Sequence, residues 1–243
     1  MSDECRDAVR DAWLAEILGR DVYRVVVRDG IVPRETVRAL QAGRVFLYAR
    51  IPTTCLRAVA DLESLGFRLI DTNVTFTRPI PSGVPAHATW RVRAAVPGDR
   101  EAVTALGRAA FAYSRFHLDP AVPRPIADEI KARWAAAWFA GARGHAMVVA
   151  ESEKRIVGFC LLLHGSDGTA TVDLIAVDAA YRGRGIAGAM IARAEALSMP
   201  FPEIRVGTQV ANLASMRCYE RLGFRIASSQ YVFHYHNPSE YRE

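Results

Sequence analysis

The sequence predicts a mixed α/β protein: a central, mostly antiparallel sheet flanked by helices, preceded by a smaller module. Three observations predict it. Between His145 and Val177 three apolar, β-branched runs follow one another across short polar turns, as in a strand meander. Segments with apolar residues at helical spacing lie on either side of that meander. A stretch with three prolines, "RPIPSGVPAHATW" from Arg78 to Trp90, separates an earlier patterned region from a later one and reads as a linker. The division expected is a module over 1–88 and a larger domain over 89–243.

After the linker, "RVRAA" reads as a short strand, and Pro97, Gly98 and Asp99 open a helix carrying Val103, Leu106 and Ala110 on one face. A second helix is expected near Ile126 to Phe139. The meander consists of "HAMVVAE", "IVGFCLLL" and "TATVDLIAV", nearly continuous in apolar residues and therefore buried. A Gly-rich loop, "YRGRGIAG", leads into a helix ending near Ser198. A strand "EIRVGTQV", a helix "NLASMRCYERL" and two final strands, "FRIAS" and "QYVFHYH", complete the chain.

Composition excludes several classes. With 51% hydrophobic and 23% charged residues in 243, the chain is too apolar for a disordered protein. No apolar run approaches the roughly 18 to 20 residues that span a bilayer, and the acidic start "MSDECRD" lacks the regions of a signal peptide, so a cytoplasmic location is expected. The formal charge of +5 comes from scattered arginines, Lys131 and Lys154 being the only lysines, which argues against a nucleic-acid surface. Cys5, Cys55, Cys160 and Cys218 are far apart and form no metal-like cluster, so no metal is expected.

The strongest chemical signal is Arg182-Gly183-Arg184-Gly185-Ile186-Ala187-Gly188 between a strand and a helix. Glycines allow a close backbone turn, and a helix N-terminus presents free N–H groups and a positive dipole end, which suits a diphosphate. No Gly-Lys-Ser/Thr follows, and the preceding strand belongs to a meander, which excludes a Walker loop and argues against a dinucleotide fold. Further on, Asn212 is a good N-cap for the next helix, and Tyr219 lies two turns later. A phenol of pKa about 10 can serve as a general acid.

The spacing RxxGxA after "VDLIAV", then a strand, Asn212 and "CYERLGF", resembles the GNAT superfamily of N-acetyltransferases over about Trp90 to His236. The resemblance implies a GNAT fold with acetyl-CoA as co-substrate. Its pyrophosphate would lie on the loop, and its pantetheine beside Leu174, Ile175, Ala176 and Val177. Asn212 would then line the cofactor site and Tyr219 would be the general acid. Asp173, expected at the start of its strand, and His117 are candidates for the base, with ordered water a further option.

Within the first third, "ADLESLGFRLIDTNVTF" aligns with "RCYERLGFRIASSQYVF", Leu65-Gly66-Phe67 falling on Leu222-Gly223-Phe224. This suggests a degenerate, partial GNAT-like copy in which Leu62 replaces Tyr219 and Cys55 replaces Asn212, without chemistry of its own. Together with "FAYSRFH" it resembles the TDP-fucosamine acetyltransferase group, which acetylates the amine of a TDP-linked 4-amino-4,6-dideoxyhexose; the phosphate loop here is longer and richer in Arg. The resemblance implies an acceptor site where Arg115 meets phosphates, Tyr113 and Phe116 pack on sugar or base, and His117 and Asp119 bond hydroxyls. Another amine, on a protein N-terminus or an antibiotic, and a non-catalytic acyl-CoA-binding regulator are the alternatives. The sequence leaves room for a homodimer.

Overall fold

In the computed structural model, residues 7–80, 90–197 and 201–237 are described. Part of the expected linker, 81–89, and the expected helix end at Ser198 lie outside them. One ten-stranded sheet runs through both halves of the chain. Its strands are β1 (Ala8–Arg10), β2 (Asp21–Val25), β3 (Val45–Pro52), β4 (Arg68–Pro79), β5 (Arg91–Ala94), β6 (Ala146–Ser152), β7 (Arg155–His164), β8 (Thr169–Val177), β9 (Glu203–Gln209) and β10 (Arg225–His236). Their order is β1-β2-β3-β10-β4-β9-β8-β7-β6-β5.

Helices α1 (Ala12–Leu18), α2 (Arg34–Gln41) and α3 (Leu56–Ser64) precede the expected linker, and α4 (Arg100–Ala109), α5 (Arg124–Ala136), α6 (Ile186–Leu197) and α7 (Leu213–Arg221) follow it. The meander β6-β7-β8 is antiparallel as its pattern predicts. Three corrections to the expected elements follow from packing. Arg78 and Pro79 belong to β4 and not to a linker, because Arg78 pairs with buried Glu195 of α6. The second helix ends at Ala136, and a tight turn over Ala137–Ala140 closes on Gly141 with φ +66°. The two final strands are one, β10, whose irregularities at Ile226/Ser228 and Val232/Phe233 bend it without ending the ladder.

The centre of the sheet is an exchange of strands between two similar α-to-β joints. At offset 157, the spacing of the two Leu-Gly-Phe motifs, β10 Gln230 pairs with Pro52, and β4 Asn73 pairs with Gln209; Gln230 also pairs with Asn73 itself. The last strand of each half thus lies beside the other half, about a local two-fold axis through Asn73 and Gln230. Both joints close alike. Gly66 and Gly223 adopt φ of +82° and +83°, and the N–H of Phe67 and of Phe224 bonds the carbonyl of Leu62 and of Tyr219 at 3.0 Å.

A buried polar chain ties the halves further. Arg20 and Arg115 can only donate, so His236 accepts at Nδ1 from Arg20 (3.0 Å), and His234 accepts at Nε2 from Arg115 (3.3 Å). The remaining ring protons are given to Asp119 Oδ2 at 2.6 Å by His234 Nδ1 and 2.7 Å by His236 Nε2. Asp119, His234 and His236 are the one group of metal-ligand type among the described residues, and their facing atoms are spent on one another.

Burial pushes the His234 pKa down to about 3, while the two imidazole donors hold the Asp119 carboxyl below its usual range. The unfolded chain therefore takes the His234 proton first, and acidification from about 6.5 to about 3 lowers stability. Asp119→Ala is expected to destabilise the fold by about 2 to 6 kcal/mol, since two buried donors lose their acceptor at about 1 to 3 kcal/mol each. Denaturant unfolding measures this, and a loss below about 1 kcal/mol would contradict it.

Candidate functional site

The site forms where the sheet opens. Strand β8 runs parallel to β9 only from Thr169–Glu203 to Val172–Val206; beyond that pair, β9 stays with β4 and β8 with β7. The cause is a bulge: Leu161 faces Leu174 and Leu162 faces Val172, so Asp173 is an additional residue in β8. Among the described residues, β8 from Asp173 onward is thus not laddered to β9. A wedge bounded by two strand backbones accepts an extended chain that alternates donors and acceptors.

The wedge leads to the Gly-rich loop. Gly183 and Gly185 take φ of +76° and +79°, values that favour glycine, and turn the chain into α6. The first bond closing that helix runs from Ala189 N–H to Gly185 C=O at 3.1 Å, so the N–H groups of the first turn lack helical acceptors. Exposed Arg182 donates to the carbonyls of Val177 (3.1 Å) and Ala110 (2.8 Å), and exposed Arg184 to that of Ala180 (3.1 Å). Carbonyl partners fix these guanidinium groups without cancelling their charge. Ile186 is a core side chain and contributes only its backbone, Ala187 is half-buried, and Gly188 lets Leu222, the C-cap of α7, pack close to α6.

Along β8, Ile175 and Val177 pack toward α6, and Leu174 and Ala176 toward α4 and α5. Below the wedge, Tyr219 shares a core cluster with Val172 and Val206 and lies against Phe76 (5.7 Å) and Phe224 (5.9 Å). Among the described residues its hydroxyl makes no hydrogen bond, and burial raises its pKa. Asn212 caps α7, accepting from Ser215 N–H at 3.2 Å, whereas Cys55 caps α3 with no side-chain bond.

Several expected site residues are placed otherwise. Asp173 is not at the start of its strand but at the bulge, and both its oxygens are engaged, by Arg143 at 2.6 Å each and by Trp134 Nε1 at 2.8 Å. Each of its oxygens thus already accepts from a donor within the protein. His117 is sealed: Ser114 Oγ holds Nδ1 at 2.6 Å, Asp128 holds Nε2 at 2.9 Å, and its side chain is 0% exposed. Phe116 is core, and Arg115 is buried with its guanidinium 4.0 Å from the Tyr48 ring and 4.3 Å from its own neighbour Phe116. Tyr113 alone of this group is exposed.

Sequence reasoning missed Lys131, Arg24, Arg50 and Asp71. Lys131 of α5 is 8% exposed, with Nζ over the Trp134 ring at 4.4 Å and the Phe111 ring at 4.9 Å. Trp134 also bonds Asp173, so this amine stands beside the bulge. Burial lowers its pKa to about 7, Asp173 opposing the shift and Arg115, Arg50 and Arg143 adding to it. Asp71 is buried beside Gln209 and Arg50, and burial raises it to about 6. The one available signal was two lysines in an Arg-rich chain.

Residues 112–224 match the family model described as "Acetyltransferase (GNAT) family". The chain is 32% identical over 140 residues to "Spore coat polysaccharide biosynthesis protein SpsD" of Bacillus subtilis, covering 57% of this chain and 48% of the relative. It is 29% identical over 181 residues to "Mycothiol acetyltransferase" of a Mycobacterium species, covering 70% and 58%. The chain thus spans about half the length of the curated relatives it matches. A GCN5-related N-acetyltransferase structure from Sphaerobacter thermophilus superposes with a TM-score of 0.60 at 17% identity, covering 89% of this chain and 72% of that one. The fold is that of the GNAT superfamily.

Proposed function

With the GNAT fold as premise, we propose that this chain transfers an acetyl group from acetyl-CoA to the amine of a nucleotide-linked amino sugar of the TDP-4-amino-4,6-dideoxyhexose type. The observation that carries the transfer is the parting of β8 from β9 at the bulge, with the N-terminus of α6 at one end and Tyr219 beneath. The free N–H groups of the loop and the charges of Arg182 and Arg184 fit a diphosphate, and the unpaired edge of β8 fits the amide-bearing arm behind it. The acceptor reading is favoured by the Bacillus subtilis relative, whose name concerns polysaccharide biosynthesis.

The co-substrate supplies an acetyl thioester; the chain's residues do the rest. Lys131, neutral above about pH 7, takes a proton from the acceptor amine as its nitrogen bonds to the acetyl carbon. A backbone N–H at the bulge stabilises the carbonyl oxygen as it gains charge. Tyr219 donates its hydroxyl proton toward the sulfur as the C–S bond breaks. We assign residues 89–243 to the catalytic domain and 1–88 to a partial GNAT-like domain, whose Leu62 and Cys55 stand where Tyr219 and Asn212 stand in the other half.

Thiol release from acetyl-CoA, followed with TDP- and UDP-linked amino sugars, tests this reading. Release that depends on a TDP-4-amino sugar is expected. Gly185→Asp, which puts a carboxylate against the diphosphate at a residue of φ +79°, is expected to lower acetyl-CoA affinity at least ~10-fold with the fold retained. Acetyl-CoA binding without release toward any amine would identify a binding module instead.

A further inference from the structure

One polar surface of the sheet, next to the wedge, carries cations that the fold does not neutralise. Arg24 of β2 lies opposite Tyr48 of β3, and Arg50 follows two residues later on the same face. Arg50 lies opposite Val232 of β10, and Val232 opposite Asp71 of β4. In the next row, Gln230, Asn73 and Gln209 stand side by side on β10, β4 and β9, leading to the strand that borders the wedge. This face is the one on which Tyr48 and His234 pack with Phe116 and Ile130 near α5.

Among the arginines of the strands and helices, Arg10, Arg34, Arg93, Arg133 and Arg205 hold carboxylates. Arg24 and Arg50 hold none, and they stand together on one face of neighbouring strands. Both are exposed, and among the described residues neither makes a hydrogen bond or an ion pair. Arg50 is nevertheless so enclosed that burial lowers its pKa, and Arg24 repels it. Arg115, stacked on Tyr48 just behind, is repelled by Arg50, and Lys131 by both Arg115 and Arg50. On the acidic side stand Asp71 and Asp11, and Asp11 is occupied as the acceptor of the Tyr48 hydroxyl and the cap of α1. A group of like charges on one face that keeps its guanidinium donors unspent is a site suited to an anion.

We infer that Arg24 and Arg50, both from the half that lacks the Gly-rich loop, bind the phosphates of a nucleoside-diphosphate acceptor, with Gln230, Asn73 and Gln209 receiving the hydroxyls of its sugar. This rests on the proposed transfer at the wedge. The spacing agrees with it. From β3 to β9 is three strand intervals, about 14 Å, which the arginine arm, a phosphate and a hexose span together. The buried Arg115 acts as a positioning residue: its guanidinium fixes the Tyr48 ring between Arg24 and Arg50 and does not itself reach the ligand. The first half would then select the acceptor, and the second would bind the acetyl donor.

The test is calorimetric titration of the full chain with thymidine diphosphate in saturating CoA, so that the Gly-rich loop is filled. Wild type is expected to bind, with affinity falling as salt rises. Arg24→Ala and Arg50→Ala are each expected to weaken binding at least ~10-fold, with CoA affinity and melting temperature unchanged or the latter raised, since removing one of several repelling cations relieves the others. Equal thymidine diphosphate affinity in the variants, or no binding by wild type that still binds CoA, would overturn the assignment. Failure of wild type to bind CoA or acetyl-CoA at all would instead count against the transferase reading, so the two failures are told apart.

Discussion

Replacing Tyr219 with Phe is expected to lower kcat by about 10² or more while leaving acetyl-CoA affinity nearly unchanged. The ring supports the core against Phe76 and Phe224, and phenylalanine keeps those contacts; what is lost is a hydroxyl with no hydrogen bond among the described residues. Burial raises the phenol's pKa, which at first sight makes it a poorer acid. The same surroundings act on sulfur. The Cys160 thiol, in the same core cluster, is pushed up to about 12, so a thiolate leaving into that environment is itself a strong base. Desolvation thus shifts donor and acceptor in the same direction. The measurement is kcat under conditions where chemistry limits the rate. A value near wild type would make Tyr219 a packing residue only.

The parts legible in the sequence are those fixed by local chemistry. The Gly-rich loop needs positive φ at Gly183 and Gly185, and the two Leu-Gly-Phe joints need it at Gly66 and Gly223, so both announce themselves as glycines at set offsets. The meander shows as β-branched runs between turns. The strand exchange does not, because β10 pairs with β3 and β4 across more than a hundred residues and either partner satisfies the same apolar pattern. The bulge at Asp173 is equally silent, which is why that residue was expected at a strand end. Around "AYSRFHLD" the polar types suggested a ligand, but Arg115, His117 and Asp119 find their partners in the protein. Arg24, Arg50 and Asp71 are silent for the converse reason: a solitary charged residue in a strand carries no motif, and only the ladder shows that these three share one face.

Lys131 carries the last expected result. An amine acceptor is cationic at neutral pH and must lose a proton to attack, and the group beside the bulge that can take it is the Lys131 amine. Its protonated form fills below about pH 7, so kcat/KM should rise with pH through that value and level off above it. Lys131→Met keeps the packing on Phe111 and Trp134 but removes the base, and is expected to cost about 10² to 10⁴ in kcat and to abolish the rising limb. Lys131→Arg separates charge from proton transfer: a guanidinium preserves the positive field yet cannot deprotonate in this range, so it should fail as Met does. Asp173→Asn supplies a shift of known sign. Asp173 stabilises the Lys131 cation, and its loss also frees Arg143 to repel that cation, so the limb should move to lower pH. Retention of wild-type kcat in Lys131→Arg, or an unmoved limb in Asp173→Asn, would transfer the role of base to water at the mouth of the wedge.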